Sequence, residues 1–75
     1  MLKIKDGIQP CELGFVEKDF DHVCYGTVDG LKKILFTIYK GSPYIRYSKA
    51  AYVNEEQLRL IYKWTKQDLI EWEDL

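Results

Sequence analysis

Basic and aromatic side chains are concentrated between residues 31 and 50, and together they can bind phosphates, bases or protein surfaces. This stretch contains five cations and no acid, whereas stretches 11–30 and 51–75 are both net acidic. A formal net charge of −1 therefore conceals a chain that is polarised along its sequence. Aromatic rings beside cations can stack on bases and hold phosphates. Tyr and Arg are also enriched in protein–protein interfaces.

Four residues of this stretch are predicted to share the outer face of a sheet, because side chains two apart on a strand point the same way. They are Lys33, Tyr39, Tyr44 and Arg46. We expect this face to bind a protein, and single-stranded nucleic acid is the alternative. The pI of about 5.7 lacks the overall basicity of most nucleic-acid-binding modules. An ordinary solvated strand face also fits these residue types.

Two apolar residues near the carboxyl end form a second candidate contact site. Helical projection places Leu60 and Trp64 away from the apolar stripe of the same predicted helix. An exposed Leu–Trp pair could anchor a partner, since Trp is enriched at interface hot spots. The sequence leaves open that the amino-terminal segment covers both residues, because a small domain needs its large aromatics for its core.

Cys11, His22 and Cys24 are the residues that could hold a metal or act as nucleophiles. Zinc normally requires four such ligands at recognisable spacing, and this chain has neither a CxxC motif nor a second His. No phosphate-binding Gly loop, nucleophile elbow or HExxH motif occurs. We therefore expect a protein that is not an enzyme, with no cofactor, no metal and no small-molecule substrate.

The elements that must position these residues begin with a hairpin at Asp29-Gly30. Asp-Gly suits a two-residue type I′ turn, in which both residues need positive φ. The turn would pair Val28 with Leu31, and farther along the strands Tyr25 with Ile34 and Val23 with Phe36. The predicted core face is the continuous apolar one. It carries Val23, Tyr25, Ile34, Phe36 and Ile38.

A second turn at residues 41–43 continues the meander, with Ile45 and Tyr47 expected on the core face. Asn54 then predicts a helix N-cap, supported by Gln57 and by a Val53–Leu58 staple. Apolar residues at helical spacing follow, although Thr65 to Asp68 could instead cap a second short helix and break the segment there. The stripe comprises Leu58, Ile61, Tyr62, Thr65, Leu69 and Trp72.

Residues 1–22 are predicted to add short strands near Leu2–Ile4 and Glu12–Val16. The fold expected is α+β: an antiparallel β-meander of three to five strands with a carboxyl-terminal α-helix on one face, in one domain spanning residues 1–75. No signal-peptide or membrane-spanning run is seen, so a cytoplasmic protein is expected. The excess of Lys over Arg, nine to two, is typical of AT-rich bacterial or phage coding sequences. The function expected is a small interaction module that binds another protein or itself.

Overall fold

The computed structural model describes residues 1–48 and 54–74, and these form an α+β structure, as the sequence predicted. A short 3-10 helix, Pro10–Leu13, lies between the first two strands. The helix α1 spans Glu55–Lys66. The strands are β1 Leu2–Ile4, β2 Val16–Lys18, β3 Asp21–Val28, β4 Leu31–Ile38, β5 Arg46–Tyr47 and β6 Ile70–Trp72.

The strands form two antiparallel sheets, and the amino-terminal strand of the smaller sheet bridges to the chain before β5. Strands β2-β3-β4-β5 make a meander in sequence order, and β1 pairs with β6. Strand β1 also contacts the segment before β5, because Ile4 N donates to Pro43 O at 2.9 Å and Ile45 N donates to Leu2 O at 2.9 Å. The first strand therefore closes the gap between the meander and the carboxyl-terminal strand.

The predicted Asp29-Gly30 hairpin is confirmed. Both residues have positive φ, 52° and 77°, and Val28 pairs with Leu31 across the turn. A second two-residue turn joins β2 to β3, with φ of 49° at Asp19 and 75° at Phe20. Gly removes the steric cost of positive φ at the first turn, whereas Phe adopts it at the second.

A β-bulge makes the predicted core face only partly right: Val23, Phe36 and Ile38 are buried as predicted, but Tyr25 is exposed. The register shifts between Cys24 and Tyr25, so Cys24 pairs with Phe36 and Leu35 is left without a partner. Val23 pairs with Thr37 instead of Phe36. Since a bulge inserts one residue and reverses the alternation beyond it, both Leu35 and Phe36 are buried, and Tyr25 is exposed rather than buried.

The predicted N-cap of α1 is confirmed. Asn54 Oδ1 accepts a 2.9 Å hydrogen bond from Gln57 N, and Asn54 N donates to Gln57 Oε1 at 2.9 Å. This reciprocal pair satisfies two donors at the helix start. The proposed staple involves Val53, which lies outside the described residues.

The predicted inner side of α1 is wrong at Leu58 and Tyr62 and right at Ile61. Leu58 and Tyr62 are exposed, and the helix faces the core with Gln57, Leu60, Ile61 and Trp64. The helix ends at Lys66, within the predicted break, but a strand follows and not the second short helix of the alternative. Beyond it the chain turns through Asp68, with φ of 60°, into β6. The apolar spacing at Leu69 and Trp72 therefore belongs to strand pairing with β1 and does not extend the helical stripe.

The core is built around the Trp64 indole, which is 1% exposed. Its ring centroid lies 5.7 Å from that of Phe15 and 5.2 Å from that of Phe36. Its Nε1 donates to Leu13 O at 3.1 Å, so the end of the 3-10 helix contacts the indole. Within the described ranges, no helix is long and apolar enough to cross a membrane.

Candidate protein-interaction surface

An open groove of about 560 Å³ lies over the β4–β5 side of the meander. A second depression of about 430 Å³ adjoins it and reaches β1 and β6. Tyr39, Arg46 and Tyr47 line both, so the two form one continuous surface. We call this surface the outer groove. Its other lining side chains include Lys33, Ile34 and Thr37 at one end and Met1 and Trp72 at the other.

Three large aromatic side chains of the outer groove remain open to solvent. The exposed fraction is 50% for Tyr39, 39% for Tyr47 and 63% for Trp72. Tyr39 follows the end of β4, Tyr47 lies on the two-residue edge strand β5, and Trp72 ends β6 beside Leu2. The junction of the two sheets therefore gathers rings from three separate parts of the chain.

Cations accompany these rings. Arg46 Cζ lies 5.5 Å from the centroid of the Tyr39 ring, and Lys32 Nζ lies 4.5 Å from that of Tyr25 on the neighbouring hairpin. Both distances are within cation–π range. Among the described residues, no carboxylate forms an ion pair with Lys32, Lys33 or Arg46. The outer groove therefore presents unneutralised positive charge on an apolar aromatic floor.

Three other cations of the chain, Lys3, Lys5 and Arg59, are paired internally. Lys3 lies 3.6 Å from a Glu71 oxygen and 3.3 Å from a Glu73 oxygen. Arg59 pairs with Glu56 on α1 at 3.2 Å. Lys5 pairs with Asp68. The lack of an ion pair is not unique to the outer groove, because among the described residues four lysines outside it also form none: Lys18, Lys40, Lys63 and Lys66.

The structure brings together three of the four sheet residues predicted to form the contact face. Lys33, Tyr39 and Arg46 line the outer groove. Tyr44 does not: its hydroxyl donates a 2.8 Å hydrogen bond to Glu73 Oε1, and its backbone bridges to Lys3. The placement of Tyr44 with the other three was wrong. After the turn that follows Tyr39, residue 44 pairs with Lys3 of β1 and not with a residue of β4.

The Tyr44–Glu73 contact changes the protonation of both groups. The hydrogen bond to Glu73 raises the pKa of Tyr44 above its ordinary value. The same bond, with a smaller contribution from Lys3, lowers the pKa of Glu73. Hydrogen bonding to Glu73 also raises the pKa of Lys3. These three residues form a polar clasp that holds β6 to β1 and to the chain before β5.

The expected exposure of Leu60 and Trp64 is wrong. Trp64 is buried among Phe15 and Phe36, and Leu60 packs partly buried against the same core. The alternative, that the amino-terminal segment covers these residues, is confirmed for Trp64, which contacts Leu13 and Phe15. The physical reason is the demand of a small domain for large apolar side chains in its core.

The sequence interpretation missed Tyr47 and Trp72 as surface residues. Tyr47 was assigned to the core face, but an edge strand leaves its ring both 5.5 Å from the Phe36 ring and open to solvent. Trp72 was assigned to a helical stripe. The alternation of Ile70, Glu71 and Trp72 is a strand signal, but it places Trp72 on the same face as the buried Ile70 and so does not predict that Trp72 is exposed.

The Cys and His residues do not converge on a reactive site within residues 1–48 and 54–74. No group of three or more His, Cys, Asp and Glu side chains is positioned there to hold a metal ion. Cys11 is exposed and Cys24 is buried. Burial raises the pKa of the Cys24 thiol, which keeps it protonated and weakly nucleophilic. His22 Nε2 lies 3.9 Å from Glu17 Oε1 at the surface.

Comparison of the chain with protein-family models, curated proteins and solved structures gave no match.

Proposed function

We propose that the protein is a small non-enzymatic interaction module that binds another protein through the outer groove. The observation that carries this proposal is Arg46, which has no ion-pair partner among the described residues and lies among exposed aromatic rings. Tyr, Trp, Met and Arg are the residue types that are enriched in protein interfaces, and Trp, Tyr and Arg dominate interface hot spots.

The exposed rings support binding because a small domain needs its large apolar side chains for its core. A domain of 75 residues buries a smaller fraction of its surface than a larger one and depends on its aromatics for stability. Trp72 nevertheless remains 63% exposed, and Tyr39 remains 50% exposed. Burial of these rings against a partner would recover apolar surface that folding alone leaves in water.

A protein partner fits the outer groove better than single-stranded nucleic acid. Base stacking needs accessible ring faces. Arg46 lies over one face of Tyr39, and Lys32 lies over one face of Tyr25. Ile34 and Met1 add apolar lining on which the apolar side chains of a protein partner can pack. Nucleic-acid binding therefore serves as the alternative outcome of the test.

The test compares two matched cation–ring pairs. Arg46 lies over Tyr39 in the outer groove at 5.5 Å, and Lys66 lies over Tyr62 on α1 at 5.0 Å. Immobilised wild-type protein, the Arg46→Ala/Tyr39→Ala variant and the Lys66→Ala/Tyr62→Ala variant are incubated with lysate of the producing cells. Each capture is repeated after nuclease treatment and at raised salt.

The proposal predicts a protein that is captured by the wild type and by the helix variant, is lost with the groove variant, and survives nuclease. Loss of capture after nuclease, with a steep salt dependence, would indicate nucleic acid instead. Equal capture by all three forms would contradict a role for the outer groove.

A further inference from the structure

We infer that the partner of the outer groove is an acidic segment with apolar anchors, whose carboxylates bind Arg46 and Lys33 while its apolar side chains pack on the aromatic rings. This inference rests on the proposed function and specifies the chemistry of the partner. The two depressions that form the groove contain no acidic side chain in their linings.

Glu73 and Asp21 are acids of the chain that are engaged in other contacts. Glu73 accepts from the Tyr44 hydroxyl and pairs with Lys3. Asp21 Oδ1 accepts a 2.9 Å hydrogen bond from Lys40 N. Among the described residues, no carboxylate forms an ion pair with Arg46. A carboxylate of a partner can therefore neutralise its charge.

The chemistry of Arg46 favours a carboxylate as its ligand. Its cation–π contact with Tyr39 holds the guanidinium over the groove, and none of the hydrogen bonds among the described residues uses it. A guanidinium carries five N–H donors in a fork that matches a carboxylate in a bidentate pair. A ring-supported guanidinium is also preorganised, so less side-chain entropy is lost on binding.

A symmetric dimer through the same surface is disfavoured. A two-fold interface places the same patch of both copies in contact. Lys33 and Arg46 of one copy would then face the same cations of the other, without acids in the patch to compensate. Like charges across an interface cost several kcal/mol. An unlike acidic partner satisfies the charges that a second copy would repel.

The test uses a displayed library of random peptides of about twelve residues, long enough to span the groove. The library is selected on the wild type, on Arg46→Ala, on Lys33→Glu and on Lys66→Ala. Lys66 is the matched control because it is a cation over a Tyr ring on α1, outside the groove. Cooperative unfolding of each variant confirms that it is folded before selection.

We expect peptides from the wild type and from Lys66→Ala to combine Asp or Glu with aromatic or aliphatic residues. Their affinity should fall about ten-fold with Arg46→Ala, as for a lost charge-assisted hydrogen bond. The Lys33→Glu selection should lose the acidic bias. If Arg46→Ala destabilises the protein, Lys33→Glu still tests the inference. Lys33 is an exposed strand residue, so its substitution is expected to leave the fold intact.

Two results would overturn the inference and separate it from the proposed function. Peptides that depend on the groove but contain no excess of acids would contradict the inference of an acidic partner. They would still support the proposal that the groove binds protein. Absence of any peptide that distinguishes the wild type from Arg46→Ala would contradict both the inference and the proposed function.

Discussion

Gln57 Nε2 donates a 2.8 Å hydrogen bond to the carbonyl oxygen of Leu35, the unpaired residue of the β4 bulge. The same Gln57 side chain accepts from Asn54 N at the helix start. One buried amide therefore caps α1 and attaches it to the irregular point of the sheet. Ser48 N donates to the same carbonyl at 3.1 Å, so the bulge is also the point where the chain after β5 is fixed.

Gln57→Glu is expected to destabilise the protein by about 2–3 kcal/mol at neutral pH, because a buried carboxylate cannot donate to the Leu35 carbonyl. The introduced carboxyl could donate once protonated, so the loss should shrink as the pH falls. Urea unfolding at neutral and acidic pH measures this. Gln67→Glu makes the same change at an exposed position and should cost less than about 1 kcal/mol. A similar loss in both variants would contradict a specific role for the Gln57 amide.

Gly26→Ala is expected to destabilise the sheet where α1 crosses it. A Cβ at residue 26 would lie 2.2 Å from Leu35 Cδ1 and 3.0 Å from Leu35 Cγ, and Leu35 is buried. Overpacking of this kind costs about 1–3 kcal/mol. Thermal unfolding beside Thr27→Ala, an exposed neighbour, measures the difference. An unchanged or raised melting temperature for Gly26→Ala would show that Leu35 moves without cost.

Trp64→Phe and Trp72→Phe separate the buried indole from the exposed one. Trp64→Phe removes the donor to Leu13 O and leaves space in the core, at an expected cost of about 2 kcal/mol. Trp72→Phe should change the free energy of unfolding by less than about 0.5 kcal/mol. Denaturant titration gives both values. The reverse order would contradict the burial of Trp64.

Tyr44→Phe should lower stability only within a window of pH. The pKa of Glu73 is lowered from 4.5, so its contribution is present above that value and is lost as the pH falls through the folded pKa. The pKa of Tyr44 is raised from 10.0, so its contribution is present below that value and is lost as the pH rises through the folded pKa. The difference in unfolding free energy from wild type should be constant between these limits and shrink outside them. A difference independent of pH would contradict the clasp.

Local signals made the hairpin and the helix cap predictable from the sequence. Asp29-Gly30 and Asn54 act through their own backbone conformations and near neighbours, so neighbouring residues suffice to identify them. The bulge at Leu35 could not be predicted in this way, because its carbonyl is satisfied by Gln57 and Ser48, which are distant in sequence. The bulge shifts the strand register by one residue, so Tyr25 lies on the exposed face and not on the core face where it was expected.

The candidate site was predictable only within the central strands. Lys33, Tyr39 and Arg46 lie near one another in sequence and follow strand periodicity. Trp72 joins them through the pairing of β6 with β1, which no local pattern specifies. Which side of α1 faces the core likewise depends on the amino-terminal segment. Leu13 and Phe15 contact Trp64, so the side of the helix that carries Trp64 is the buried one.

Site-specific photocrosslinking tests the central claim, that a protein binds at the outer groove, most directly. A photoreactive phenylalanine replaces Tyr47 in the groove or Tyr62 on the exposed side of α1, and both forms are irradiated in the producing cells. We predict a nuclease-resistant protein adduct from position 47 that is absent from position 62 and is lost with Arg46→Ala. The same adducts from both positions, or none from position 47, would contradict the claim.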